Sequence, residues 1–231
     1  MLLSPEEDPD IAFSGFSYFC EVQASFEFQL NKVLETLGAV DFTIALSDGE
    51  NFRKGLLPDY KANRVGKPKP THFKRLRAWV EENYNTTCVS GLEGDDILGI
   101  YSSFPKFKPK YDKFIISIDK DMKTIPGYFF NPDTEEHLFT TEEEADYNHL
   151  LQTMTGDTTD NYKGCPGIGA VKAKALFEKS GANWNTVVEA FRKAGLTEED
   201  ALVQARVAYI LRGWDYNPKS REIKLWLPKE G

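Results

Sequence analysis

Lys113–Asp121 reads KFIISIDKD, an apolar, β-branched run that ends in two carboxylates, Asp119 and Asp121. The run predicts a buried strand over Phe114–Ile118. If the strand continues, its acids at i and i+2 share one face. A second such run, Asp41–Asp48 (DFTIALSD), predicts a strand over Phe42–Leu46 and ends in Asp48. Two further clusters lie outside strands. Leu92-Glu-Gly-Asp-Asp96 carries Glu93, Asp95 and Asp96, and Gly156-Asp-Thr-Thr-Asp160 carries Asp157 and Asp160. Carboxylates repel one another, and a pocket that gathers several needs cations to neutralise it. Hard oxygen ligands at strand and helix ends suit magnesium or manganese. The chemistry this implies is phosphodiester hydrolysis by two divalent ions.

Around these clusters the periodicity alternates. A helix is expected through Ile11–Leu37 with Gly38 as its stop, and another over Thr71–Tyr84. A short strand follows at Thr86–Ser90, then a helix at Gly94–Ser102 with Asp95 and Asp96 in its first turn, where the helix dipole favours negative charge. Tyr128–Asn131 reads as a further strand. The rhythm predicts an α/β fold, a mostly parallel sheet flanked by helices with its site at the carboxyl edge. From Thr141 onward helices dominate: Glu142–Thr155, Ala170–Lys179, Trp184–Ala194 and Glu198–Leu211, with a closing strand at Arg221–Leu227. The expected division is an α/β core over 1–145 and a helical region over 146–231.

Composition narrows the partners. The chain has 231 residues, 41% of them apolar, enough for a real core. No run approaches the length of a membrane span, and the acidic start MLLSPEEDPD is unlike a signal peptide. Three scattered cysteines suit a reducing compartment, so a cytoplasmic monomer without membrane contact is expected, in the host cytoplasm for a phage-encoded chain. The net charge of −8 disfavours nucleic acid until its distribution is considered. Arg53–Arg77 holds nine basic residues and a single acid, Asp59. A basic stretch beside an acidic pocket is what a metal-dependent nuclease needs.

Two motifs address the substrate. In Tyr60-Lys61-Ala-Asn-Arg64, the cations are placed to meet a scissile phosphate and Tyr60 to offer a stacking face for a terminal base. In Gly164-Cys-Pro-Gly-Ile-Gly169, glycines expose backbone N–H groups before a helix that carries Lys172 and Lys174, a phosphate-binding arrangement.

In order, SDGENFRKGLLPDYKANR, LEGDD, SIDKDMKTI and GDTTDNYKGCPGIG resemble the phage and bacterial 5′-nuclease family, which includes flap endonucleases and the 5′-nuclease domain of bacterial DNA polymerase. The look is nearest to the short phage 5′→3′ exonucleases. The resemblance implies a PIN-like core and a helix–three-turn–helix at Gly164, Gly167, Ile168 and Gly169 that grips duplex DNA and in relatives holds K+. It implies two ions, Mg2+ or Mn2+. Asp48, Glu93, Asp95, Asp96 and Asp119 would serve the first and Asp121, Asp157 and Asp160 the second, with Asp95 and Asp119 shared. Lys61 and Arg64 match the cations at the base of the family's arch, here short and basic within about 53–84. The implied substrates are duplex DNA with 5′ ends or flaps and RNA primers in RNA–DNA hybrids, in phage DNA replication.

The start of the chain departs from the family, whose members open with an apolar strand ending in a metal-ligand Asp. Asp8 and Asp10 flank Pro9 and end no β-run, so neither is expected to be a ligand, and the missing strand is expected to lie upstream of Met1. Two alternatives follow: a DNA-binding module impaired in cleavage, and a PIN-like ribonuclease.

Overall fold

The computed structural model describes residues 18–108 and 110–229. The start of the helix expected from Ile11, and Asp8 and Asp10, lie outside these residues. The chain divides into two compact units. One comprises the residues up to Ile44 together with Gly66–Thr87; the other comprises Ala45–Val65 together with the residues from Cys88 onward.

The first unit is built on α1 (Phe19–Leu37) and α3 (Phe73–Asn83). Gly38 stops α1 in the left-handed conformation, φ 58°, where its N–H bonds the last carbonyls of the helix. Aromatic edges hold the unit together. Phe26 packs against Trp79 at 6.1 Å and Tyr84 at 5.7 Å, and the Tyr84 hydroxyl donates to Glu27. The expected helix at Thr71–Tyr84 is α3, two residues later at its start. Two cations of this unit ride on aromatic faces: Arg75 lies 4.0 Å from the Phe19 ring and Lys69 4.7 Å from that of Phe73.

The second unit carries most of the core. In its sheet, β3 (Phe114–Ile116) pairs in parallel with β4 (Gly127–Asn131), and β4 pairs antiparallel with β5 (Glu136–Thr140). The strand β5 was not expected from its acid-rich sequence. The turn that creates it is set by Asn131, whose side-chain oxygen accepts from the N–H groups of Asp133 and Thr134. The remaining strands are short: β1 (Ile44–Leu46) pairs with β2 (Thr86–Cys88), and β6 (Tyr216–Asn217) pairs with β7 (Glu222–Ile223). β7 is all that forms of the strand expected at Arg221–Leu227, because Trp226 turns in to pack on His149 and Trp184.

The helix α4 (Gly94–Ser103) packs on the extended segment after α8 (Glu198–Ala208). At their contact Gly99 admits no side chain: a Cβ there would meet the Leu211 carbonyl oxygen at 2.4 Å. Leu92, Ile97, Ile100, Tyr209 and Leu211 form one apolar cluster around this contact. The helices α5 (Glu142–Thr155), α6 (Ala170–Ser180), α7 (Trp184–Lys193) and α8 enclose another, with Met154, Phe177, Val187 and Phe191 buried. The expected helix Glu198–Leu211 ends three residues early. Arg53 and Asp96 bind the backbone of Tyr209 and Leu211 and hold that segment extended. Among the described residues no helix is long and apolar enough to cross a membrane.

Candidate active site

Arg53 organises the site, although nothing in its sequence context marked it out among the basic residues. It opens the short helix α2 (Arg53–Leu56) and is buried. Its two terminal nitrogens donate to the two oxygens of Asp96 at 2.8 and 2.7 Å, and the remaining reach is spent on the carbonyls of Val207 and Tyr209. Asp96 is fully buried and also accepts from the N–H groups of Glu93 and Leu211. With four donors on two oxygens, it has no coordination to spare. The expectation that Asp96 ligates a metal is therefore corrected: it fixes the start of α4 and thereby aims its neighbours.

Those neighbours are Glu93 and Asp95. Glu93 accepts from the Tyr60 hydroxyl at 2.9 Å, from Lys61, and at 3.4 Å from Arg53. Burial pushes its carboxyl up, but Arg53 and Lys61 overcome that and hold it below the usual range. Asp95 has no such cation shell. Burial, then the charge of Glu93, with Asp119 and Asp96 adding to it against Lys61, pushes its pKa up to about 7.

The second acidic group is carried by a 3-10 turn, Lys120–Thr124, and by the loop after α5. Asp119 caps the turn by accepting from the Asp121 N–H at 2.9 Å and is exposed. Asp121 is pushed up to about 6 by burial and then by Asp119 and Asp157, with Gln152 and Lys120 opposing. Asp157 folds its own loop, accepting from Thr159 N–H at 2.6 Å. The base of the loop is closed by Gly156 and Gly164, both at positive φ, whose backbones approach too closely for any side chain. Gly164 is buried and donates to Gln204, so its expected role in DNA contact is corrected to a structural one.

The segment 60–64 is laced to this loop. Lys61 N–H donates to the Asp160 carbonyl, Asn63 donates to the Thr158 carbonyl, and Asn161 donates to the Asp59 carbonyl. Side chains repeat the tie: Arg64 meets Asp160 at 2.6 Å, Lys61 lies 3.4 Å from it, and the Tyr60 hydroxyl bonds it at 3.0 Å. Tyr60 is 3% exposed, so its ring cannot serve as the stacking face expected of it; its hydroxyl instead joins Glu93 to Asp160.

Asp48 sits at a turn. Its carboxylate accepts from Gly91 N–H at 3.0 Å, and this bond, with those from Gly49, Glu50 and Ser90, holds it below the usual range. Among the described residues no set of three or more His, Cys, Asp or Glu side chains stands as a finished metal cage. What is present is an oxygen-only donor set in which Asp95 and Asp121 are part-buried beside other carboxylates, which disfavours their charged forms until a cation is supplied. That donor set fits divalent magnesium or manganese.

The glycine turn follows Asp160 closely in sequence and opens α6. An added Cβ at Gly167 or Gly169 would meet nothing within 4 Å, and Val171, Lys172 and Lys174 are exposed. Lys172 donates to the Gly167 carbonyl and so shapes the turn.

A family profile described as the 5′-3′ exonuclease N-terminal resolvase-like domain matches residues 20–142. The exonuclease of Escherichia phage T7 is 37% identical over 219 residues, spanning 80% of this chain and 73% of that protein. The exodeoxyribonuclease of Enterobacteria phage T3 is 36% identical over 220 residues, with the same coverage. Among solved structures, a bacteriophage T5 flap endonuclease in a pseudo-enzyme–product complex with DNA and metal ions superposes with TM-score 0.65 at 19% identity. It covers 80% of this chain and 79% of that one, a likeness of fold.

Proposed function

Because the chain belongs to the 5′-3′ exonuclease family, we propose that it hydrolyses phosphodiesters near the 5′ ends of duplex or flapped DNA with two divalent cations. The observation that carries this reading is the gathering of part-buried carboxyls without cation partners of their own: Asp95 and Asp121 are each raised by burial and then by neighbouring acids, Asp119 among them in both cases. Asp95 with Glu93 would hold one ion and Asp121, Asp157 and Asp160 the other, with Asp119 common to both; Asp48 would join the first by leaving its turn. When bound, the ions would polarise the scissile phosphate and lower the pKa of an attacking water. Lys61 and Arg64 pair with Glu93 and Asp160 and would pass to the phosphate as the carboxylates take up cations. Tyr60 keeps Glu93 and Asp160 in register throughout.

The turn at Gly167, Ile168 and Gly169, with Lys174, would bind the duplex backbone through exposed N–H groups at the start of α6. The T5 relative bound to DNA and metal ions supports the same substrate class. A potassium ion at this turn and RNA in hybrids as a substrate belong to the same proposal. The decisive test digests 5′-labelled duplex, flap and hybrid substrates with Mg2+, beside Asp119→Ala and EDTA. Metal-dependent release of 5′ nucleotides, abolished in the variant, is expected. Binding without cleavage would favour the second reading, an impaired DNA-binding module. The neutralisation of Glu93 and Asp96 by the chain's own cations speaks for that reading.

A further inference from the structure

Tyr162 lies under the second acidic group. It is 3% exposed, and its ring packs with Tyr60, Val207 and Ala208. Its backbone pairs with Asp157 in both directions, at 2.9 and 3.0 Å, so the two residues face each other across the loop. The neighbouring tyrosine, Tyr60, has its hydroxyl fully used. The Tyr162 hydroxyl is buried and has no hydrogen-bond partner. Buried phenols seldom stay unpartnered, and one that does marks a missing group. After burial, the charges acting on this phenol are those of Asp121, Asp157 and Asp160, with Arg53 opposing them, so the hydroxyl stands in a field that the acids dominate.

A second orphan borders the same acids. Gln152 on α5 lies beside Asp121 and eases its carboxyl toward ionisation, yet its buried Oε1 has no hydrogen-bond partner. One side thus offers an unused donor and the other an unused acceptor. A buried water needs two to four polar partners, and this corner supplies them.

We propose that Tyr162 is a positioning residue of the second acidic group, its hydroxyl donating to a water that Gln152 Oε1 and the carboxylates of Asp121 and Asp157 also hold. The water completes the surroundings of a divalent cation there, so the proposal rests on the reading of Asp121, Asp157 and Asp160 as a cation site. Outer partners of this kind typically change metal affinity 10- to 100-fold when removed.

The test uses the full chain freed of metal with EDTA and titrated with MnCl2 by calorimetry, with Mn2+ paramagnetic resonance as a second readout. Wild type, Tyr162→Phe and Asp157→Asn are compared, and Tm is measured for each in EDTA. Asp157→Asn is expected to lose one bound ion. Tyr162→Phe is expected to keep the ion count, to weaken one site about tenfold, and to match or exceed the wild-type Tm in EDTA, where the cation and its water are gone and the wild-type hydroxyl is unsatisfied. If Asp157→Asn loses an ion but Tyr162→Phe titrates like wild type, the proposal alone falls. If Asp157→Asn binds as wild type does, the cation site itself falls and the proposal with it. A Tyr162→Phe chain that melts lower in EDTA, or fails to fold, would show a structural hydroxyl and overturn the proposal.

Discussion

Glu93 and Asp121 belong to one acidic constellation, and the chain treats them oppositely. Around Glu93 and Asp96 it supplies its own positive charge, with Arg53 in a bidentate pair and Lys61 close by. Around Asp121 it supplies little: Lys120 is 81% exposed and reaches Asp157 only at 4.0 Å. The first arrangement lowers a carboxyl pKa and fixes a backbone; the second, like that of Asp95, raises one and leaves charge unresolved. Charge that a chain neutralises itself is spent on holding the fold. Charge left over defines what must arrive from outside.

The sharpest way to break this contrast is to remove Arg53. Arg53→Met leaves Asp96 buried without its partner and is expected to cost about 3–5 kcal/mol in urea unfolding. A loss below 1 kcal/mol would mean that the pair is not structural. On the uncompensated side the sign reverses. Asp121→Asn and Asp95→Asn are expected to stabilise the metal-free protein, by on the order of 1 kcal/mol, while lowering cleavage about 100-fold or more. Destabilisation by both would erase the distinction between the two groups.

The pH dependence sharpens it further. Asp95 and Asp121 have folded pKa values raised to about 7 and about 6. Their contribution to stability is fully present below the unfolded value near 4 and is lost as pH rises through those folded values. The advantage of Asp95→Asn over wild type should therefore grow from about pH 4 to pH 7 and level off above. Buried His149, lowered to about 4, acts in the other sense and cancels in that difference. Urea curves for both proteins across the range, in EDTA, decide it. The smallest effect is expected at the exposed Lys174 of α6: Lys174→Ala should reduce the salt slope of duplex binding by about 0.9 and leave metal affinity unchanged. An unaltered slope would remove Lys174 from the interface.

The acids themselves were legible because strands and helix starts announce their ends: KFIISIDKD and LEGDD each state a local geometry. The α/β core and the helices that follow were readable from periodicity for the same reason. What sequence concealed was how the acids are compensated. Asp95 and Asp96 are adjacent and chemically alike, and only the fold decides that one meets Arg53 and the other does not. Tyr60 read as a stacking surface because a segment rich in Lys and Arg suggests solvent, whereas packing against Tyr162 and Val207 buries it. Gln152 lies in no motif, and Tyr162 lies within GDTTDNYKGCPGIG with no role that its type announces; their significance lies in bonds not made. β5 was hidden because its pairing depends on the Asn131 turn rather than on apolar alternation.

The reach of Arg53 sets an order in time. Its contacts with Val207 and Tyr209 close over 154 and 156 residues, and the Asp96 contact with Leu211 closes over 115. Contacts so distant along the chain form late, after local helices have already assembled. During synthesis, α4 and segment 60–64 emerge long before the residues that lock them. A ribosome-bound chain that stops short of Val207 should therefore lack an ordered acidic pocket and cut no DNA, so that activity waits on the synthesis of the segment Val207–Leu211.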